Sequence, residues 1–231
     1  MTRRPRLSAE LVRRVHRDLA DPGPMQRQKN VPKSWFADTA TSLRAALAPG
    51  EPLWVFAFGS LIWRAPIAFS DRRTGLVRGW HRAFCLGWDT RYRGNVDQPG
   101  LMLSLDRGGS CKGVALKIAP ERLDADLVAL LEREPPIMPR WVTVATDTGP
   151  LRAIAFVAER DYAGYIGGLS ETEIADRLAV AVGFWGSMAE YLLNTVEHLE
   201  RLGLHDRHLW RMQDLVAERI SARQPDTGAG R

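Results

Sequence analysis

Cysteine is scarce in this 231-residue chain, with Cys85 and Cys111 the only two. Two thiols supply no metal framework, and they suit a reducing compartment. Lysine is almost as rare: Lys29, Lys33, Lys112 and Lys117 stand among 32 basic residues, the rest being arginine. No stretch approaches the roughly 20 consecutive apolar residues of a membrane span, and the opening Met-Thr-Arg-Arg-Pro has no apolar secretion core. The expectation is a cytoplasmic chain with no membrane partner. Hydrophobic (45%) and charged (26%) fractions are those of a globular protein, and the length accommodates one well-buried domain.

The net charge of +5 raises the question of nucleic acid. The arginines are scattered among acids and densest at Arg3-Arg4-Pro5-Arg6 and Arg13-Arg14. There is no basic stripe with interleaved aromatics and no zinc-finger or RNP signature, so no nucleic-acid partner is expected. An arginine-rich surface can still attract anionic substrates. Of the five histidines, His205 and His208 lie three apart on an expected helix, but no third ligand accompanies them. No metal is expected there.

What is present begins with Trp54-Val55-Phe56-Ala57-Phe58-Gly59-Ser60-Leu61-Ile62-Trp63. An apolar run breaks at Gly-Ser and resumes, as a buried strand does when it opens into a tight loop. Gly59 has no Cβ, so a ligand can approach the loop amides closely. Taken alone, the pattern is more often that of a strand that merely ends.

Residues 7–19 have helical spacing after Ser8, and 34–47 form a second short helix ended by Pro49-Gly50. From Leu53 to Ile118 the chain is strand-like, with turn residues at Asp71, Arg93-Gly94, Pro99-Gly100 and Gly108-Gly109. A helix is expected from Pro120 to Arg133, a hairpin around Asp147–Pro150 from Trp141 to Val157, and nearly all helix from Ser170 to Ile220. Ser170 with Glu173 forms a capping box. Strands first and helices later make an α+β chain.

Helical geometry singles out one carboxylate. Leu123, Leu127, Leu130 and Leu131 define one face at i, i+4, i+7 and i+8, and Glu134 continues it, whereas Glu132 falls nearly opposite. Pro135 disfavours an α conformation at Glu134, so the helix ends there and the carboxylate can project into a cavity. The competing reading pairs an inward Glu134 with Arg140 or Arg82. A Cys85–His81 nucleophile pair on one strand face competes with Cys85 as a small core residue.

Further segments follow in order: Gly79-Trp80-His81-Arg82-Ala83-Phe84-Cys85-Leu86, Tyr92-Arg93-Gly94-Asn95, Pro99-Gly100-Leu101, Asp106-Arg107-Gly108-Gly109-Ser110-Cys111, Arg133-Glu134 and Pro139-Arg140-Trp141-Val142. Beyond them stand Asp161-Tyr162 with Gly164-Tyr165, Gly183 with Gly186, Tyr191-Leu192, and Leu202-Gly203 through Asp206 and Leu209. In this order and spacing the chain resembles the ChaC family of glutathione-specific γ-glutamylcyclotransferases, from Leu53 to Ile220.

The resemblance implies the γ-glutamylcyclotransferase-like fold, a small mixed β-barrel flanked by helices. Residues 1–50 are then a helical N-terminal extension, 51–221 the cyclotransferase-like domain and 222–231 a flexible tail. It implies a lyase that closes the γ-glutamyl group of glutathione into 5-oxoproline and releases Cys-Gly, with Glu134 as general acid/base. Substrate contacts would come from Ala57, Phe58, Gly59, Ser60, Leu61 and Ile62. Neither metal nor cofactor is implied, the partner is a small γ-glutamyl compound, and the oligomeric state is open.

Three features depart from the family pattern. Phe58 stands where a tyrosine is usual, Pro135-Pro136-Ile137-Met138-Pro139 is shorter than usual and lacks the Met expected next to the Glu and the Tyr a few residues on, and Met188 stands where an asparagine is common. The alternatives are a cyclotransferase for another γ-glutamyl amine, a non-catalytic γ-glutamyl sensor, and a structural or RNA-associated protein acting through its basic N-terminal segment.

Overall fold

The computed structural model describes residues 4–25 and 30–223. They group into two compact units, each assembled from separated stretches of chain. One takes residues 24–86 and 103–167; the other takes the stretch up to 23, then 87–102, then the chain from 168 onward. The helices in chain order are α1 (Ala9–Val15), α2 (Ser34–Ala45), α3 (Leu123–Arg133), α4 (Glu171–Leu178), α5 (Met188–Arg201) and α6 (Arg207–Ala222). The expected tail from 222 lies outside the described residues after Arg223.

The first unit holds a closed five-stranded barrel in the order β1-β3-β2-β4-β5. Its strands are β1 (Trp54–Ala57), β2 (Phe69–Asp89), β3 (Gly100–Ile118), β4 (Arg140–Thr146) and β5 (Gly149–Ala155). β1 is antiparallel to β3 and parallel to β5, whereas β4 is antiparallel to both β2 and β5. The barrel is therefore mixed, with α2 packed on α3 beside it in the same unit.

Period-2 alternation fills the barrel. Trp54 and Phe56 on one face of β1, with Phe58 just beyond its end, cluster with Val142 and Val144 of β4 and Ala153 and Ala155 of β5. The small alanines leave room for the aromatic rings. Gly113 is required by the same crowding, because a Cβ there would stand 2.5 Å from the Ala57 carbonyl oxygen and 2.6 Å from the Phe56 ring.

Two turn signals mislead. Gly108 and Gly109 have φ of +104° and +65°, yet β3 runs through them, and Asp71 lies inside β2. Glycines of positive φ kink a long strand without ending it, so the pair reads as a turn until its neighbours' pairing is known.

In the second unit, Ser8 caps α1 by accepting the Leu11 amide. The helix stops at Val15, four residues before the expected Leu19, where His16 turns extended. Leu7 is fully buried, and its amide donates to Gln213 Oε1 at 2.8 Å. The capping box at Ser170 and Glu173 opens α4 as expected.

The stretch Ser170–Ile220, expected to be nearly all helix, holds α4, α5 and α6 with a short strand pair that was not expected. A two-stranded hairpin, β6 (Val182–Gly183) and β7 (Gly186–Ser187), separates α4 from α5. Phe184 and Trp185 at its tip donate their amides to the carbonyls of Arg91 (3.0 Å) and Tyr92 (2.9 Å). Gly183 permits this, since a Cβ would come within 2.5 Å of both carbonyl groups. Long-range pairing of this kind carries no helical or alternating signature. No helix among the described residues is long and apolar enough to cross a membrane.

Candidate active site

Glu134 is placed by a local conflict in the backbone. Leu127, Leu130 and Leu131 are fully buried along α3, which the apolar face predicts, while Leu123 is only partly buried. The Glu134 amide closes the helix on Leu130 O at 3.2 Å, and at φ −84°, ψ 164° the residue is already extended. Pro135 enforces that switch, because its ring excludes the helical conformation from the preceding residue. The carboxylate thus leaves the axis of α3 instead of packing along it. Glu132, on nearly the opposite side of the helix, is exposed.

The Glu134 side chain keeps 18% of its surface, so it is desolvated by its surroundings yet open on one side. Burial raises its pKa above the ordinary glutamate value, and the Arg133 guanidinium, at 3.2 Å from Oε1, opposes that rise without cancelling it. The cation beside Glu134 is its sequence neighbour, not Arg140 or Arg82. Arg140 pairs with Glu159 at 2.5 Å.

The turn after β1 is built next to this pair. Ser60–Ile62 form a single 3₁₀ turn in which Ile62 donates to Gly59 O at 3.0 Å and Arg64 to Ser60 O at 2.7 Å. The Ile62 amide is thereby committed to the turn itself. Among the described residues, the amides of Ser60 and Leu61 have no acceptor. Such adjacent unengaged amides at the start of a helical turn form a small anion-receptive cradle. Arg133 Nη2 donates to Ser60 Oγ at 3.0 Å, bringing the end of α3 and this turn together across 73 residues of sequence.

The remaining expected contacts take different positions. Ala57 is the last paired residue of β1, opposite Val114, and its side chain is buried. The Phe58 ring belongs to the barrel interior, and its carbonyl accepts from Arg82 Nε at 2.6 Å. Arg82 is itself buried and also donates to the Lys112 carbonyl, bracing the strand end that delivers the turn. Arg82 stands in the sequence two residues before Phe84, in the stretch where β2 turns from exposed to buried positions, which was the available signal for this brace. Arg133 was visible beside Glu134 in a resembling segment, but its reach to Ser60 carried no signal, since a helix-end arginine is ordinarily solvated.

Cys85 is a buried core thiol. Burial and the nearby Asp106 charge push its pKa up to about 12, far from a nucleophile's range. His81 is exposed with Nδ1 against Gly108 O at 3.1 Å, and among the described residues no hydrogen bond joins it to Cys85. His205 and His208 each face a carboxylate, Glu200 at 2.7 Å and Glu171 at 3.7 Å.

The fold defines the class first. A solved yeast γ-glutamyl cyclotransferase described as specific to glutathione superimposes with a TM-score of 0.68 at 20% identity, covering 72% of this chain and 96% of that one. The architecture is the γ-glutamylcyclotransferase fold. Sequence then fixes the family: residues 53–219 match the family described as ChaC-like protein. A glutathione-specific gamma-glutamylcyclotransferase of Escherichia coli K12 is 36% identical over 200 residues, 83% of this chain and 86% of the relative. A human relative, glutathione-specific gamma-glutamylcyclotransferase 1, is 36% identical over 179 residues, 72% of this chain and 80% of its own. The chain belongs to the ChaC-like family.

Proposed function

We propose that this chain cleaves glutathione as a γ-glutamylcyclotransferase, with Glu134 as the single general acid/base. In a γ-glutamyl peptide the α-amine can curl onto its own γ-carbonyl. Glu134 removes a proton from the ammonium group, and the nitrogen then attacks the γ-carbon and closes a five-membered ring. The developing oxyanion is received by the Ser60 and Leu61 amides. The protonated Glu134 then delivers its proton to the nitrogen of the cysteinyl residue as the C–N bond breaks. The carboxylate so restored takes the second proton from the ring nitrogen and passes it to the departing amine, so that 5-oxoproline forms with one N–H and Cys-Gly leaves as an ammonium group. Two protons thus pass from the α-nitrogen to the cysteinyl nitrogen, and Glu134 returns to its starting state.

Because attack is intramolecular, the protein must mainly hold the substrate curled, which removes much of the entropic barrier. The observation that carries this reading is a desolvated carboxylate with a raised pKa beside a turn with two unengaged amides. A proton shuttle works best when its pKa approaches the working pH, and burial moves Glu134 in that direction. The two buried free cysteines fit the reducing, glutathione-rich cytoplasm to which we assign the activity.

The test is direct. Purified protein incubated with reduced glutathione should yield 5-oxoproline and Cys-Gly in equal amounts. Glu134→Gln should remain folded and lose turnover; activity above about a tenth of wild type would remove Glu134 from the mechanism. Glu132→Gln, an exposed change, should leave the rate unaltered. The Phe58 substitution for tyrosine favours one second reading, a different γ-glutamyl amine as substrate, which a panel of such amines would reveal by a higher kcat/KM than glutathione.

A further inference from the structure

Arg133 makes two contacts that no apolar pattern anticipates. Nη1 donates to Glu134 Oε1 at 3.2 Å and Nη2 to Ser60 Oγ at 3.0 Å, with the Arg133 side chain 11% exposed. The guanidinium is planar, so one fork engages two groups that belong to different elements. This leaves two consequences. Among the described residues the other Glu134 oxygen, Oε2, accepts no hydrogen bond, and the Ser60 hydroxyl, already accepting, has its own proton to give.

We infer that Arg133 is a positioning residue of the reaction proposed above, holding the Glu134 carboxylate and the Ser60 turn in one frame so that Oε2 and the Ser60 hydroxyl proton are both presented to a γ-glutamyl substrate. A lysine cannot replace it fully, because an ammonium group is a compact point charge that lacks the planar two-pronged reach. The charge has a second effect. Burial drives Glu134 toward its neutral form, and Arg133 is the charged group that acts against this, so it keeps a base available.

Arg133→Met and Arg133→Lys separate the two effects. Protein labelled with ¹³C at the glutamate carboxyls, with the Glu134 signal assigned by its absence in Glu134→Gln, reports the titration of that carboxyl without any turnover. The Met variant should titrate at higher pH than wild type, and the Lys variant close to wild type. In kinetics on glutathione, the Met variant should lose about tenfold to a hundredfold in kcat, with KM changed much less and the acid limb of kcat/KM moved to higher pH. The Lys variant should lose about tenfold in kcat while its acid limb stays in place.

An unchanged Glu134 titration in Arg133→Met, or a kcat within about twofold of wild type in either variant, overturns the inference. If the Met variant does not fold, the kcat of the Lys variant decides. Should wild type turn over no γ-glutamyl substrate, the functional reading fails, and the carboxyl titration still decides whether Arg133 governs Glu134.

Discussion

At the scale of residues, Glu134 stands where stability and chemistry pull apart. Its folded-state pKa is raised by burial, so the wild type bears the cost of a desolvated charge once the pH exceeds that value, and bears none below the unfolded value. Glu134→Gln removes the charge. The variant should therefore melt above wild type at neutral pH, and the gap should close as the pH falls through the folded pKa; thermal melts at pH 4 and pH 8 measure this. Activity follows the opposite course: the acid limb of kcat/KM should lie above an ordinary glutamate's 4.5, because the base form is lost as the pH falls through the raised value. Cys85 carries no such tension. Cys85→Ala should lower the melting temperature while activity per folded molecule persists, which a kcat corrected for the folded fraction would confirm.

At the scale of elements, helix α3 was legible in the sequence because two independent rules agreed: the leucine spacing set its buried face and Pro135 set its end. Truncating that face with Leu130→Ala should cost about 2–5 kcal/mol, read by denaturant melts. The cap of α4 was legible for a similar reason, and Ser170→Ala should cost about 1 kcal/mol. The barrel strands were legible as strands, but not their lengths, since the positive-φ glycines Gly108 and Gly109 look the same in a turn and in a kinked strand. The β6–β7 hairpin was hidden because its bonds go to Arg91 and Tyr92, some ninety residues earlier in the chain. Asp89 was not singled out either, although its bonds are local. It is fully buried, and its carboxylate accepts the amides of Arg91, Tyr92 and Arg93 at 3.0, 2.9 and 2.8 Å. Of the candidate site, Glu134 and the Ser60 turn could be named from spacing and resemblance, and Arg133 stood beside Glu134 in a resembling segment; its bond to Ser60 could not be read, because a hydrogen bond spanning 73 residues leaves no local trace.

At the scale of the whole molecule, both units draw on separated stretches of chain, and the segment around α1 is integral to one of them. Leu7 is fully buried there and Arg14 Nη2 reaches Arg223 O at 2.6 Å. Arg91 likewise holds Asp21, with Nη2 at 2.7 Å from Oδ2. Leu7→Ala should therefore behave as a core truncation, lowering the melting temperature by roughly 5–15 °C in calorimetry. A substitution in a loose appendage would leave it unmoved.

The bond from Leu7 to Gln213 also sets a schedule for the newborn chain, since its partners are separated by 206 residues. At ribosomal rates, Gln213 emerges roughly 10–40 s after Leu7, and through that interval the leucine has no native site to enter. The barrel's own last strand, β5, is complete by Ala155, well before α6 exists. One unit can thus assemble during translation while the other waits for its final helix, and a chain interrupted after residue 167 would expose Leu7 to chaperones and proteases.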